Sequence, residues 1–518
     1  MKQIIKLVLL VHRYLGFALS LLFVIWFLSG FVMMYVTYPT MRQQERLEHS
    51  PTLNLTHCRF TLQQALDHIH CSDTLRTVRL GMLLDRPVYR ITTIHNQNKA
   101  IYADTGELLP PMDTILTKKL AVSFIHNNSQ PDRVETLTAI DQWMAAARSM
   151  GYQPPVHRFT MNDSLQTYIY VSIQTGEVVQ MVNASQRFWA WLGPIPHWIY
   201  PTILLRNRPL WNDIILWTSS LGTIMCIAGI AMGIIRYRRK DKSALAFSPY
   251  KKKWFLWHHY TGFVFGLFVF TWVFSGLLSM TPWNWAPAGR LTPEESQVWN
   301  GGVFQPNRFT LSPSQAAIIF QSKLNVKEIT FLQVDGKQYY LAWQDQQHTA
   351  LLTASDSSAE NLFFIHFPTR SFVQKIRDLN PGIRLSEAVV LSEYDEYYYL
   401  KHDEIRYRDK HLPILRVKMD TPEKTWYYVD LQTGQVALRS ETRNRWERWL
   451  YHGLHSLDFG WLRSRRPLWD IIMFVLLTGG LLASSTGLVL TWKWIKRKVS
   501  PKHVHHKIEK QRKSRVTR

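Results

Sequence analysis

The 518-residue sequence holds only three cysteines, Cys58, Cys71 and Cys226. That number excludes a disulfide framework and an iron–sulfur cluster held by four cysteines. GxGxxG and Walker patterns are missing too, so the chain shows no NAD(P)H or ATP site of its own and any electron donor is another molecule. Acidic residues are scarce, 38 Asp and Glu against 61 Lys and Arg, for a formal net charge of +23. No nucleic-acid-binding motif accompanies that charge, and nucleic acid is not an expected partner. Carboxylates are absent from the middle of every long apolar run. Asp213 and Asp470 lie only near run ends, which argues against a transporter. Cys226 reads as a small packing residue. Cys58 and Cys71 share a polar segment, where they either form one disulfide in an oxidising compartment or stay free.

The mean hydropathy of −0.15 hides four apolar windows long enough to span a bilayer, which takes ~20 residues in a helix. They run over Leu7–Val36, Leu210–Ile235, Trp254–Met280 and Leu468–Trp492. The first follows Lys2 and Lys6 but is too long for a signal peptide and lacks a small-x-small cleavage site, so it reads as an uncleaved anchor. Lys and Arg crowd the stretch RYRRKDKSALAFSPYKKK between windows two and three and the tail after window four. Cations beside spans mark the cytoplasmic side. Both termini are therefore expected inside, and the long segments at about 39–205 and 283–465 outside. Trp189, Trp191, Trp198, Trp283 and Trp285 fall where an aromatic belt meets membrane lipid.

The two halves align. VHRYLGFALSLLFVIWFLSG matches WHHYTGFVFGLFVFTWVFSG, setting His12 on His258, Gly16 on Gly262, Trp26 on Trp272 and Ser29-Gly30 on Ser275-Gly276. Further on, YVSIQTGEVV from Tyr170 matches YVDLQTGQVA from Tyr428. His197 falls on His455, Arg208-Pro-Leu-Trp211 on Arg466-Pro-Leu-Trp469, and Gly222 and Gly229 on Gly480 and Gly487. Rare residues matching in order mean a duplication. Each half crosses the membrane twice, so the expected fold is a four-helix bundle of two parallel repeats. The segments between spans alternate β-formers around T-G turns, as in PVYRITTI, KAIYADTGELL, KQYYLAW and TWYYVDLQTGQVALRS, with short helices nearby. They read as α+β modules, two per half.

Histidines inside spans are costly and commonly functional. A single one is more often a packing residue; His12 and His258 occupy equivalent positions, where a pseudo-two-fold axis brings them to one depth. A flat tetrapyrrole with two axial sites, a haem b, suits that arrangement. His197 and His455 form a second such pair at the opposite face, for a second haem. His259 and His452 lack a histidine counterpart and are alternative ligands or neighbours. Arg13, Arg206, Arg208, Arg463 and Arg466 either meet haem propionates or snorkel to head groups. His503, His505 and His506 lie in a solvated basic tail.

The H-R-x-x-G opening at His12, Arg13 and Gly16, its echo at His258 and Gly262, and the R-W-L-x-x-L-H segment from Arg448 to His455 carry a resemblance. With the T-G modules, the chain resembles the PepSY-associated transmembrane helix proteins, iron-regulated membrane proteins of Gram-negative bacteria. One departure is W-L-G-P-I-P-H, which sets Pro194 and Pro196 against His452 and Leu454. The resemblance implies an integral membrane α-helical fold with α+β PepSY-like extracytoplasmic domains in the bacterial inner membrane. It places transmembrane helices in 1–38, 188–240, 254–282 and 446–495. PepSY-like periplasmic domains fall in 39–187 and 283–445, a basic loop in 241–253 and a basic tail in 496–518. It also implies a haem-containing reductase that passes electrons outward to ferric siderophores or other ferric chelates, releasing Fe(II). The rival expectation is a non-enzymatic envelope scaffold that binds peptide or protein partners.

Overall fold

The computed structural model describes residues 2–125, 129–149, 151–237, 248–286, 289–355, 363–400 and 410–499. The basic stretch 238–247 and the tail from 500, with His503, His505 and His506, lie outside the described residues. The chain divides into two compact units. One gathers Met1–Thr37, Trp189–Ala286 and Trp446–Arg518; the other gathers Tyr38–Phe188 and Pro287–Arg445.

The first unit is built on four helices long and apolar enough to cross a membrane: α1 (Lys2–Met33), α2 (Arg208–Arg236), α3 (Lys253–Ser279) and α4 (Arg466–Val499). The chain is a multi-pass membrane protein. Unbroken helices satisfy every backbone polar group internally, as hydrocarbon requires. Asn207 caps α2 by accepting from the Leu210 N–H, and Pro209 sits in the first turn, where a missing N–H costs nothing. Helix α4 outruns its apolar window through Lys493–Lys498, because Lys and Arg are good helix formers and favour the negative C-terminal end. α1 and α3 each pack against both α2 and α4. Gly479 and Gly480 of α4 meet the rings of Phe265 and Phe27 so closely that a methyl at either position would overlap them.

The second unit carries fifteen strands among the described residues, in three sheets. From the first half come β1 (Leu75–Leu83), β2 (Arg86–Thr93), β3 (Asn98–Tyr102), β4 (Pro131–Leu137), β5 (Val156–Met161), β6 (Tyr168–Ser172) and β7 (Val178–Val182). From the second come β8 (Glu328–Val334), β9 (Lys337–Trp343), β10 (Thr349–Thr353), β11 (Phe363–Phe364), β12 (Leu385–Leu391), β13 (Ile414–Met419), β14 (Trp426–Asp430) and β15 (Val436–Ser440). β4–β7 and β12–β15 form separate four-stranded meanders. The seven-stranded sheet, in the order β11-β10-β9-β8-β1-β2-β3, contains strands from both halves. Its seam is the antiparallel pairing of β1 with β8, Val78 opposite Phe331 and Leu80 opposite Ile329. One core beneath it collects Leu62, Val78, Tyr89, Phe320, Ile329 and Tyr340.

A buried charge network crosses the seam. Glu328 accepts from Arg46 at 2.6 and 2.9 Å and from Arg79 at 3.0 Å. Arg79 also pairs with Glu177 at 2.9 Å, and Arg90 lies 3.6 Å from the same carboxylate. Burial alone would raise the Glu328 pKa; the guanidiniums of Arg46 and Arg79 outweigh it and hold the carboxyl at about 2. Cys58 and Cys71 are both free, half-buried against the core beneath the seam.

Candidate functional site

Within the first unit, His12 of α1 and His258 of α3 stand with ring centroids 6.0 Å apart and planes tilted by 31°. The Nδ1 of His12 lies 3.1 Å from the Met225 carbonyl on α2. The Nδ1 of His258 lies 3.2 Å from the Ala483 carbonyl and 3.1 Å from Thr486 Oγ1 on α4. These approaches depend on the glycines that the repeat aligned. A Cβ on Gly229 would stand 2.7 Å from His12 Cε1, and one on Gly487 would stand 3.4 Å from His258 Cε1.

The second pair sits off the spans. His197 ends the short helix Pro194–His197, which packs on α1; His455 lies in Leu454–Ser456, which packs on α3 just after a π-helical turn at Arg448–Gly453. Pro194 and Pro196 fall in the first turn, where N–H groups are unbonded anyway, so they leave His197 opposite His455. The two rings are 6.1 Å apart between centroids, at 80°. His197 Nδ1 is 3.1 Å from Ser29 Oγ on α1. His455 Nδ1 is 2.9 Å from Ser275 Oγ and 3.2 Å from the Trp272 carbonyl on α3. Both serines are buried. Each is 17 residues beyond the histidine on its own helix, which separates the two pairs by about 25 Å at 1.5 Å per residue.

All four rings are half-buried and use Nδ1 alike; no hydrogen bond reaches any Nε2 among the described residues. An Nδ1–H given to a carbonyl or hydroxyl oxygen leaves the Nε2 lone pair free, the form in which imidazole ligates metal. Two imidazoles that bind one metal atom from opposite sides, each at about 2 Å, set their centroids about 6 Å apart. Both pairs match that spacing. Among the described residues no cluster of three or more His, Cys, Asp or Glu side chains could hold a metal ion. Two nitrogens per site suit a metal that brings its remaining ligands with it, as iron does in a tetrapyrrole. One turn along from His12 and His258 the chain leaves open space beside two glycines. A Cβ on Gly262 would meet nothing within 4 Å, and one on Gly16 only Met225 Sδ at 3.9 Å.

The remaining candidates are placed differently. His259 directs Nε2 to the Gly233 carbonyl at 3.3 Å and meets the Tyr250 ring. His452 belongs to the π-helical turn, its ring 4.5 Å from that of Tyr451 and tilted by 40°. Arg13 lies over Tyr14, Arg206 ends the short helix Thr202–Arg206, and Arg208 reaches the Tyr200 hydroxyl at 3.5 Å. Arg463 pairs with Asp458 at 3.1 Å and Arg466 with Asp470 at 3.0 Å. The sequence reading matched Ser29 with Ser275 but did not give them a role, and it passed over Thr486. For the serines the signal is a hydroxyl that follows the histidine by 17 residues on both helices; Thr486, which aligns with Ala228, has no such mark.

The family described as PepSY-associated TM region matches residues 9–367, a stretch that includes His12, His197 and His258 and ends before His455. No curated protein matches the chain.

Proposed function

We propose, from the premise that this chain belongs to the PepSY-associated TM region family, that it carries electrons across a membrane on two haems b and reduces ferric siderophores or other ferric chelates. The observation that carries this reading is the pair of imidazole pairs, 6.0 and 6.1 Å between centroids, each with Nδ1 engaged. His12 and His258 would hold one haem, and His197 and His455 the other. Bound haem supplies one-electron chemistry at iron. The chain's part is to fix the four rings, keep each Nε2 unprotonated and fill the bundle between the two pairs with an apolar core that includes Phe23, Phe27 and Trp272.

In this reading the four long helices form a bundle of two parallel repeats in the bacterial inner membrane, with both termini cytoplasmic. The cations at Lys251, Lys252 and Lys253 and in the tail support that orientation. The sheet-bearing segments are PepSY-like and extracytoplasmic. An external donor delivers the electron at the His12–His258 end, and the ferric chelate takes it up beyond His197 and His455. Fe(III) becomes Fe(II), which the hard oxygen donors of a chelator hold less well.

The test is direct. Protein purified from haem-replete cells is expected to be red, with two haems per chain and a Soret band that moves on dithionite addition. His12→Ala and His258→Ala are each expected to remove the same haem. A colourless preparation, or variants that keep both haems, overturns the proposal and leaves an envelope scaffold.

A further inference from the structure

Three of the four paired histidines face a side-chain hydroxyl, and in each case the hydroxyl's own hydrogen is already committed. Ser29 Oγ donates to the Ile25 carbonyl at 2.7 Å, Ser275 Oγ to Trp272 at 3.0 Å, and Thr486 Oγ1 to Leu482 at 2.9 Å. This back-bonding is ordinary for Ser and Thr in apolar helices. Its consequence at these positions is that only a lone pair is left to face the imidazole, so Nδ1 must be the donor. The hydroxyl thereby favours the tautomer whose Nε2 is bare, and at His258 and His455 it does so beside a carbonyl that accepts from the same Nδ1 at 3.2 Å. The fourth histidine differs. Met225 and Ala483 are equivalent in the repeat, and three residues beyond them stand Ala228 and Thr486. His12 therefore has the Met225 carbonyl alone, where His258 has both a carbonyl and a hydroxyl. Ala228 is buried and supplies no oxygen.

We infer that Ser29, Ser275 and Thr486 are positioning residues that fix the imidazole tautomers and strengthen them as donors, and that Ala228 leaves His12 the least constrained of the four. This rests on the haem reading above. An Nδ1–H bond pushes electron density toward Nε2, and a more basic ligand favours ferric over ferrous iron. Removing the hydroxyl at 486 therefore raises the midpoint potential of the His12–His258 site, and adding one at 228 lowers it. Ser29→Ala and Ser275→Ala raise the potential of the other site.

The experiment is a redox titration of the purified full-length protein, with haem content measured first. Thr486→Val keeps the shape and removes the oxygen; Thr486→Ser keeps the oxygen. A hydrogen bond of ordinary strength changes the reduction equilibrium about threefold to tenfold, about 28 to 59 mV for one electron. The expected result is an upward shift of that size for Thr486→Val in one of the two midpoints, none for Thr486→Ser, and a downward shift in the same midpoint for Ala228→Ser. Loss of one haem from Thr486→Val but not from Thr486→Ser also supports the assignment. Two-haem variants that titrate like the parent, or equal haem loss from both Thr486 variants, overturn it. Absence of haem from the parent protein refutes instead the reading on which it rests.

Discussion

Replacing Gly229 with Ala tests the inner histidine pair with a single methyl. The new Cβ would lie 2.7 Å from His12 Cε1 and 3.0 Å from its Nδ1, whereas carbon atoms rest at about 3.5–4.0 Å. His12 must retreat by about 1 Å. Its 3.1 Å bond to the Met225 carbonyl then stretches beyond hydrogen-bonding range, and the ring loses its 6.0 Å placement against His258. In an exposed helix Gly→Ala gains up to about 1 kcal/mol, so any loss is not a failure of α2 to form. Gly487→Ala is the internal control. There the added atom meets His258 Cε1 at 3.4 Å, and the ring need give only a few tenths of an ångström. Haem per chain, measured by pyridine haemochrome on purified protein, is expected to fall to about half in Gly229→Ala and to stay near the parent value in Gly487→Ala. Full haem with an unchanged spectrum in Gly229→Ala would refute the reasoning, as would equal damage from the two substitutions.

The second unit offers further checks. Glu328→Gln leaves Arg46 and Arg79 buried without the carboxylate they share, and breaking such a pair costs about 3–5 kcal/mol; a loss below about 1 kcal/mol in thermal unfolding followed by circular dichroism contradicts this. Because the folded Glu328 carboxyl is held at about 2, below its ordinary 4.5, its contribution is fully present above pH 4.5 and is lost as pH falls through about 2; acid titration of stability is expected to be shallower in Glu328→Gln over that window. Gly176→Ala, at φ +58° with Leu83 Cδ1 and Met112 Sδ 2.8 Å from the new methyl, is expected to cost more than about 1 kcal/mol in the same unfolding assay.

Apolar length made the four spans legible, and the T-G turns made the hairpins beside them legible. KQYYLAW is the strand Lys337–Trp343. Duplication made the histidine pairs legible, since it drew attention to positions rather than to residue type. The β1–β8 seam was not. Pairing between strands some 250 residues apart leaves no local mark, and neither TVRL around Val78 nor EITF around Ile329 differs from any other strand. The charge network escaped for the same reason: Arg46, Arg79, Arg90, Glu177 and Glu328 come from five separate segments. Glu177 stands in a T-G turn whose glycine alone drew notice. The hydroxyls escaped for another. A serine that bonds its own helix four residues back looks the same in sequence whether or not its oxygen also receives a histidine.

The 17-residue spacing explains why the second pair is not carried by the spans themselves. At 3.6 residues per turn, position 29 lies about 100° around α1 from position 12, and the same holds for 275 and 258 on α3. A face that points His12 toward His258 therefore cannot also point a ligand inward at residue 29. What that position presents is a hydroxyl on an adjoining face, and the histidine that faces His455 comes from a short helix packed against it. The two pairs are consequently coupled through helix register. A one-residue slip of α1 past α3, about 1.5 Å, would pull His12 off His258 and carry His197, whose helix packs on α1, away from His455, whose helix packs on α3. Both pairs thus depend on one register between α1 and α3, whereas a substitution that displaces a single ring, as Gly229→Ala does His12, is expected to disturb its own pair alone.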